Sequence, residues 1–267
     1  MSKVVLITGA SSGIGKSTAK FLSSKGFKVY GTGRNPKIIK NVEYSLIPLD
    51  VTKPDTISTA INLILEKEGR LDVLVNNAGM GITGPIEDTP TNEMRKVFET
   101  NFFGAIDMMK AVLPQMRKQK SGTIINVTSI AGYMGLPFRG VYSATKGALD
   151  LVSEAIRMEV KEFGIQVATI APGDVATNIA AGRYHTPVFE TSAYKEKYQM
   201  NLDLMDLHVD TGMDPIKMAE KIDEIIHLKK PNVHYKVGAF MEKFSILLKK
   251  VLPSKRYEKL LMNHYKL

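Results

Sequence analysis

Tyr142 and Lys146 stand four residues apart in the stretch YSATK, with only small side chains between them. Four residues make about one helical turn, so on a helix the phenol and the ammonium share a face. A phenol is a weak acid, and a neighbouring positive charge favours its ionised form. Such a pair is equipped to pass a proton to or from a substrate oxygen. The same two residues on a solvated helix surface would do no chemistry, and the remainder of the chain has to decide between these readings.

A second stretch with chemical content is TGASSGIG, Thr8–Gly15. It follows an apolar β-branched run and opens a helical pattern. Gly9, Gly13 and Gly15 allow a tight turn and close backbone approach to a pyrophosphate, with Ser11, Ser12 and Ile14 completing the turn. The N–H groups and positive end of the following helix favour the anion. A dinucleotide site of this kind usually carries Asp or Glu about 20 residues further on, to accept from the ribose 2′-hydroxyl. Here that position holds Gly33 and Arg34, and no carboxylate precedes Glu43. Arg34 suits a 2′-phosphate, so the expected cofactor is NADP(H). Asp50, followed by Val51, ends the third strand candidate. It is placed either to meet the adenine or to cap the helix near residue 54.

These groups need elements to hold them. Strand candidates are VVLIT (4–8), KVYGT (28–32), YSLIP (44–48), DVLVN (72–76), TIINVT (123–128), QVATIA (166–171) and VHYKV (233–237). They are apolar on both faces, as strands between two helical layers are. Helical patterns near 14–25, 54–67, 92–118 and 142–163 fill the intervals. The alternation predicts an α/β fold, a doubly wound parallel sheet of about seven strands with helices on both faces. Residues 178–213 show no clear element but carry several aromatics and methionines, as a substrate lid does. Asp214 and Pro215 read as an N-cap and a first helical residue. Two short amphipathic helices follow, split by Pro253, the first with Phe240, Phe244, Leu247, Leu248 and Val251 at helical spacing. The expected organisation is one domain over 1–267. It comprises a dinucleotide-binding and catalytic core (1–177), a lid (178–213) and a basic helical C-terminal extension (239–267).

Composition narrows the function. The 267 residues include no cysteine, which excludes disulfides, thiolate catalysis and Cys-ligated metal. The five histidines show no metal-binding spacing, so no metal is expected. No apolar run reaches the roughly 20 residues that span a bilayer, and the N-terminus leaves no room for a secretory signal. The expected location is cytoplasmic. The net charge of +9 is concentrated at the end: residues 225–267 carry ten Lys/Arg against Glu242 and Glu258. No aromatic platform or groove-reading motif accompanies this charge, so nucleic acid is not an expected partner. An amphipathic basic helix does suit peripheral contact with a membrane surface.

TGASSGIG, NNAG (76–79), NVTS (126–129), YSATK (142–146) and PGDVAT (172–177) together resemble the classical short-chain dehydrogenase/reductase family, in its order and at its intervals. The resemblance is strong over residues 3–177. It implies a Rossmann-type fold and hydride transfer between a nicotinamide and a carbonyl or alcohol. It assigns Tyr142 as general acid or base, and Lys146 to support the phenolate and bind the nicotinamide ribose. Ser129 would bond the substrate oxygen, and Asn101 would hold a water in a proton relay. Asn77, Ala78 and Gly79 would line the adenosine ribose side, while Asn76 ties strands together. Pro172, Gly173, Val175 and Thr177 would receive the nicotinamide end. Thr128 stands where a second serine is frequent. The basic C-terminal extension departs from compact tetrameric members and resembles the hydroxysteroid- and retinol-dehydrogenase-like branch, as does NNAGMGITGPIE (76–87). A homodimer through the helices near 92–118 and 142–163 is the family expectation.

Met80, Ile130, Met134, Phe138, Tyr184 and Phe189 are the residues expected to join Ser129 at the substrate. Methionines and aromatics make an adaptable apolar pocket, which points to a large apolar ketone or secondary alcohol such as a steroid, retinoid or fatty carbonyl. Two alternatives stand beside this: a 3-ketoacyl-thioester reductase whose basic residues hold an acidic carrier, and a non-catalytic NADP(H)-binding regulatory protein. The position of residues 249–259 relative to the site mouth separates the first alternative from the apolar-substrate reading.

Overall fold

The computed structural model describes residues 2–35, 43–176, 182–188, 190–210 and 212–267, without side chains at 206–210. Seven parallel strands form one sheet: β1 (Val4–Ile7), β2 (Lys28–Gly33), β3 (Ser45–Pro48), β4 (Val73–Asn76), β6 (Gly122–Val127), β7 (Ile165–Pro172) and β9 (His234–Val237). Their order across the sheet is β3-β2-β1-β4-β6-β7-β9. The two-residue strands β5 (Ile82–Thr83) and β8 (Tyr184–His185) pair separately.

Side chains alternate across the strands, and both sides are buried. Leu6, Leu74, Ile124 and Val167 meet Ile64 of α2 (Pro54–Glu68) and Met108, Val112 and Met116 of α4 (Gly104–Gln119). Val5, Ile7, Val73, Val75 and Ile170 meet Leu22 of α1 (Gly13–Ser24) and Met218, Ile222 and Ile225 of α7 (Ile216–His227). This two-sided burial is why the strands read as continuous apolar runs.

The chain winds outward from β1 in one direction and from β4 in the other. Their carboxyl ends therefore diverge, leaving a crevice at the switch point. α5 (Gly140–Glu159) flanks β6 and β7 and carries Tyr142 and Lys146.

The helical run expected near 92–118 is present without a break from Thr91 to Gln119, and α3 (Thr91–Phe98) passes through a π-turn at Glu99–Phe103 before α4 begins. One expectation is corrected. Residues 178–213 contain a helix, α6 (Lys195–Asp210). Its buried positions include the polar Asn201 beside Tyr198 and Met205, while Met200 is exposed. That arrangement erases the apolar periodicity by which a helix is recognised. Asn201 Nδ2 donates to the Tyr265 carbonyl, tying α6 to the chain's last turn.

Beyond β9 the chain forms a helical hairpin, α8 (Phe240–Val251) and α9 (Ser254–His264), with Pro253 at the corner. Ile246 and Tyr257 pack with Ile130, Met134 and Ala171 in a third cluster. No helix among the described residues is long and apolar enough to cross a membrane.

Candidate active site

A cleft of about 1990 Å³ lies over the carboxyl ends of the central strands. Its floor is the turn between β1 and α1, where Gly9 and Gly13 adopt φ of 66° and 51°. A Cβ on Gly9 would stand 2.9 Å from Ala78 Cα, and one on Gly15 would overlap the Gly9 carbonyl. Only glycine fits this approach. Thr8 Oγ1 accepts from the N–H groups of both Asn77 and Ala78, each at 2.9 Å. Asn77 Nδ2 donates back to the carbonyls of Thr8 and Gly9. Thus TGASSGIG and NNAG interlock into one rigid floor. Ser12, the N-cap of α1, makes no side-chain cap, so the helix's first N–H groups are directed at the cleft lined by Ser11, Ser12, Gly13 and Ile14. The missing side chains at Gly9, Gly13 and Gly15 and these donors fit a dinucleotide pyrophosphate.

Arg34 lines the cleft just past β2, with Asp50 and Val51 beside it. Asp50 does not cap α2, whose N-cap is Lys53. Its Oδ1 accepts instead from the N–H and hydroxyl of Thr52. Burial raises the Asp50 carboxyl's pKa, but the Thr52 bonds and the charges of Lys53 and Arg34 hold it below the ordinary carboxylate value.

On the opposite wall, Lys146 Nζ lies 6.0 Å from the centre of the Tyr142 ring and donates to the Val127 carbonyl at 2.8 Å. Lys146 is only 5% exposed. Burial pushes its ammonium below the ordinary lysine value, against the pull of Tyr142. Ser129 Oγ accepts from the Ala131 N–H at 3.1 Å, which leaves its own hydrogen to donate. Thr128 bonds the Ile170 carbonyl of the neighbouring strand.

Asn101 sits at the centre of the π-turn, a distortion frequent at functional sites. Its Oδ1 accepts from the Met80 N–H at 2.8 Å, and Nδ2 donates to the Met80 carbonyl at 3.0 Å. A Cβ on Gly79 would stand 3.3 Å from Asn101 Oδ1 and 3.6 Å from Lys146 Nζ, so this glycine keeps the space between them open. Asn76 Nδ2 joins β4 to Asn126 on β6 and to the Ala105 carbonyl of α4.

Pro172, Gly173 and Val175 line the far end of the cleft, with Val175 bridged to Met213. Thr177 and Phe189 lie outside the described residues. Of the expected substrate residues, Met80, Ser129, Ile130 and Met134 line the cleft. Phe138 and Tyr184 do not, and this corrects the sequence reading. Phe138 turns its ring onto Tyr198, 5.3 Å between centres, and Tyr184 is drawn into the β5–β8 ladder opposite Ile82.

Their place is taken by residues the sequence reading did not select: Leu136, Leu248, Tyr257 and Leu261, with Arg139 near Tyr142. The amphipathic pattern of α8 and α9 signals a buried face but does not say what it covers. One polar cluster lies elsewhere. His234 Nδ1 is 3.3 Å from Asp150 Oδ1 and its Nε2 is 3.1 Å from Glu154 Oε1. These three are near enough to share a metal ion. Nδ1 also lies 3.0 Å from Thr169 Oγ1 of β7, so the ring ties β9 to β7 as well as to α5.

A glycine turn at the switch point of a doubly wound sheet, facing a Tyr–Lys pair and a serine hydroxyl, defines a nicotinamide-dependent oxidoreductase. The chain belongs to the short chain dehydrogenase family, whose model matches residues 3–187. It is 40% identical over 253 residues to 3-ketodihydrosphingosine reductase of Bacteroides thetaiotaomicron, covering 94% of this chain and 93% of that one. The crystal structure of a short-chain dehydrogenase from Streptomyces avermitilis matches with a TM-score of 0.84 and 33% identity, covering 100% of this chain and 97% of that one. ElxO with NADP bound matches with a TM-score of 0.72 and 29% identity, covering 89% and 97%. These matches agree with a place near the hydroxysteroid- and retinol-dehydrogenase-like branch.

Proposed function

We propose that this protein is an NADP(H)-dependent reductase of a large apolar ketone, of the fatty-carbonyl class. The observation that carries the reading is the cleft's apolar wall, built from Ile130, Met134, Leu248, Tyr257 and Leu261 next to Ser129 and Tyr142. The fatty carbonyl is further supported by the similarity to 3-ketodihydrosphingosine reductase. Arg34 beside the adenosine end, with no carboxylate before Glu43, supports the 2′-phosphate form of the cofactor.

The bound nicotinamide supplies or takes a hydride. The chain's own groups handle the oxygen. Ser129 donates a hydrogen bond to the carbonyl oxygen and stabilises the charge that develops there. Tyr142 delivers the proton, and the buried Lys146 ammonium favours the phenolate left behind. Asn101 holds the Met80 backbone at the edge of this group.

Leu248, Tyr257 and Leu260 of the hairpin line the cleft beside Lys243, whereas Lys249, Lys250, Lys255 and Lys259 are absent from its lining. That supports an apolar substrate over an acidic carrier protein. The hairpin's outer face exposes Phe240 (72%) and Val251 (65%) with Lys249 and Lys250. This combination supports peripheral contact with an anionic bilayer, with the protein working from the cytoplasm. Leu151 and Met158 are exposed seven residues apart on α5, which supports a homodimer through that helix.

The test is a titration of the purified protein with NADPH and NADH, followed by NADPH consumption with a long-chain 3-keto sphingoid base. NADPH preference and turnover are expected. Turnover of small polyols or sugars alone would refute the substrate class. Co-sedimentation with phosphatidylglycerol vesicles tests the bilayer contact, and light scattering tests the dimer.

A further inference from the structure

Glu242, on the first turn of α8, reaches in two directions. Its Oε2 accepts from the Ala239 N–H at 2.6 Å, capping its own helix. Its Oε1 accepts from the Asp174 N–H at 2.7 Å, 68 residues earlier in the chain. The carboxylate lies between Gly173, just past the end of β7, and Gly238, just past the end of β9. A Cβ on either glycine would overlap Glu242 Oε2. Neither glycine has a positive φ. Their missing side chains leave the space that the carboxylate fills and are not required by backbone conformation. Gly173 N–H also donates to the Val237 carbonyl at 2.8 Å, so the slot has a fixed width. Gly173, Asp174, Gly238 and Glu242 all line the cleft.

We infer that Glu242 is a positioning residue for the cofactor: from α8 it pins the Gly173–Val175 backbone against which the nicotinamide end rests. The inference rests on the reading of that turn as the nicotinamide site. A carboxylate suits the task because two N–H donors converge on it and charge-assisted bonds are the stronger kind. Glutamine would turn an NH₂ toward one of those donors. Because α8 also contributes Leu248 to the apolar wall, the two halves of the cleft are joined through one side chain. A substrate seated against the hairpin and a nicotinamide seated on the turn then hold the same segment.

The experiment is calorimetric titration of the full-length protein with NADPH and, separately, with 2′,5′-ADP, which has the adenosine end but no nicotinamide. Glu242→Gln is expected to weaken NADPH about tenfold, the scale of a lost charge-assisted bond, and to leave 2′,5′-ADP within about twofold. Gly238→Ala, whose Cβ would overlap the carboxylate and press on the Gly173 backbone, with N at 3.2 Å and Cα at 3.3 Å, is expected to give the same pattern. It serves where Glu242→Gln does not fold. Equal weakening of both ligands would make Glu242 a general structural residue and overturn the inference. Unchanged NADPH affinity would reduce it to a helix cap and also overturn it. If the unsubstituted protein binds 2′,5′-ADP and NADPH equally well, the reading of the turn fails. If it binds neither, the cofactor assignment itself fails.

Discussion

Asn101 donates its side-chain amide to Thr145 Oγ1 at 3.1 Å, linking the π-turn to the catalytic helix one residue before Lys146. Thr145 is fully buried and donates in turn to the Tyr142 carbonyl. The hydroxyl thus joins the segment holding Met80 to the backbone bearing the phenol. Thr145→Val keeps the shape and removes the acceptor. A buried donor left unpaired costs about 1–3 kcal/mol. Turnover of the long-chain ketone is expected to fall about tenfold with NADPH affinity little changed; steady-state kinetics and titration check this. Unaltered turnover would mean that the link has no part in placing the catalytic groups.

Removing the phenol oxygen isolates the proton step. Tyr142→Phe is expected to lower turnover by about 10²–10⁴-fold, the range for a positioned general acid. NADPH binding should persist, since the glycine turn and Arg34 are untouched. Retained turnover would assign the proton to another group.

Cofactor choice is expected to follow the charge at Arg34. Arg34→Asp should weaken NADPH about 100-fold by removing charge-assisted bonds and adding repulsion, while NADH affinity stays level or improves. Quenching of tyrosine fluorescence measures both. Equal losses for both cofactors would deny Arg34 its part in selecting the phosphate.

The buried Lys146 gives a pH dependence of defined sign. Burial lowers its pKa in the folded protein relative to the unfolded chain. Between the two values the unfolded state binds the extra proton, so this lysine's contribution to stability improves as pH rises. The effect ends at the unfolded lysine value of about 10.4. Lys146→Met removes it. Without cofactor, the melting temperature of the unsubstituted protein minus that of Lys146→Met is expected to increase from about pH 7 to about pH 10. A constant difference would contradict the depressed value.

Residues with a short-range signature were legible beforehand. The strands announced themselves because Leu6 faces one helical layer while Val5 and Ile7 face the other. The Tyr142–Lys146 pair and the glycine turn depend on spacing within a single turn or helix. What escaped depends on distant partners. Asn101 was singled out, but the π-turn around it was not, because a π-turn differs from an α-turn in hydrogen bonding and not in composition. Helix α6 was hidden by Asn201, whose buried amide is satisfied by the Tyr265 carbonyl 64 residues away. Phe138 and Tyr184 have the chemistry of a substrate pocket, yet Tyr198 and Ile82 claim them elsewhere. Glu242 resembled an ordinary acidic residue in a helix's first turn. Only the fold shows it meeting Asp174.

The α8–α9 hairpin follows every catalytic group in the chain, and that order makes the two separable by mutation. Ser129, Tyr142, Lys146 and the glycine turn belong to segments completed before Phe240. Part of the cleft's apolar wall, Leu248, Tyr257 and Leu261, comes from that hairpin, and Glu242 bonds it to the Asp174 backbone. Leu248 and Leu261 can be exchanged there without altering a residue of the glycine turn or of the Tyr142–Lys146 pair.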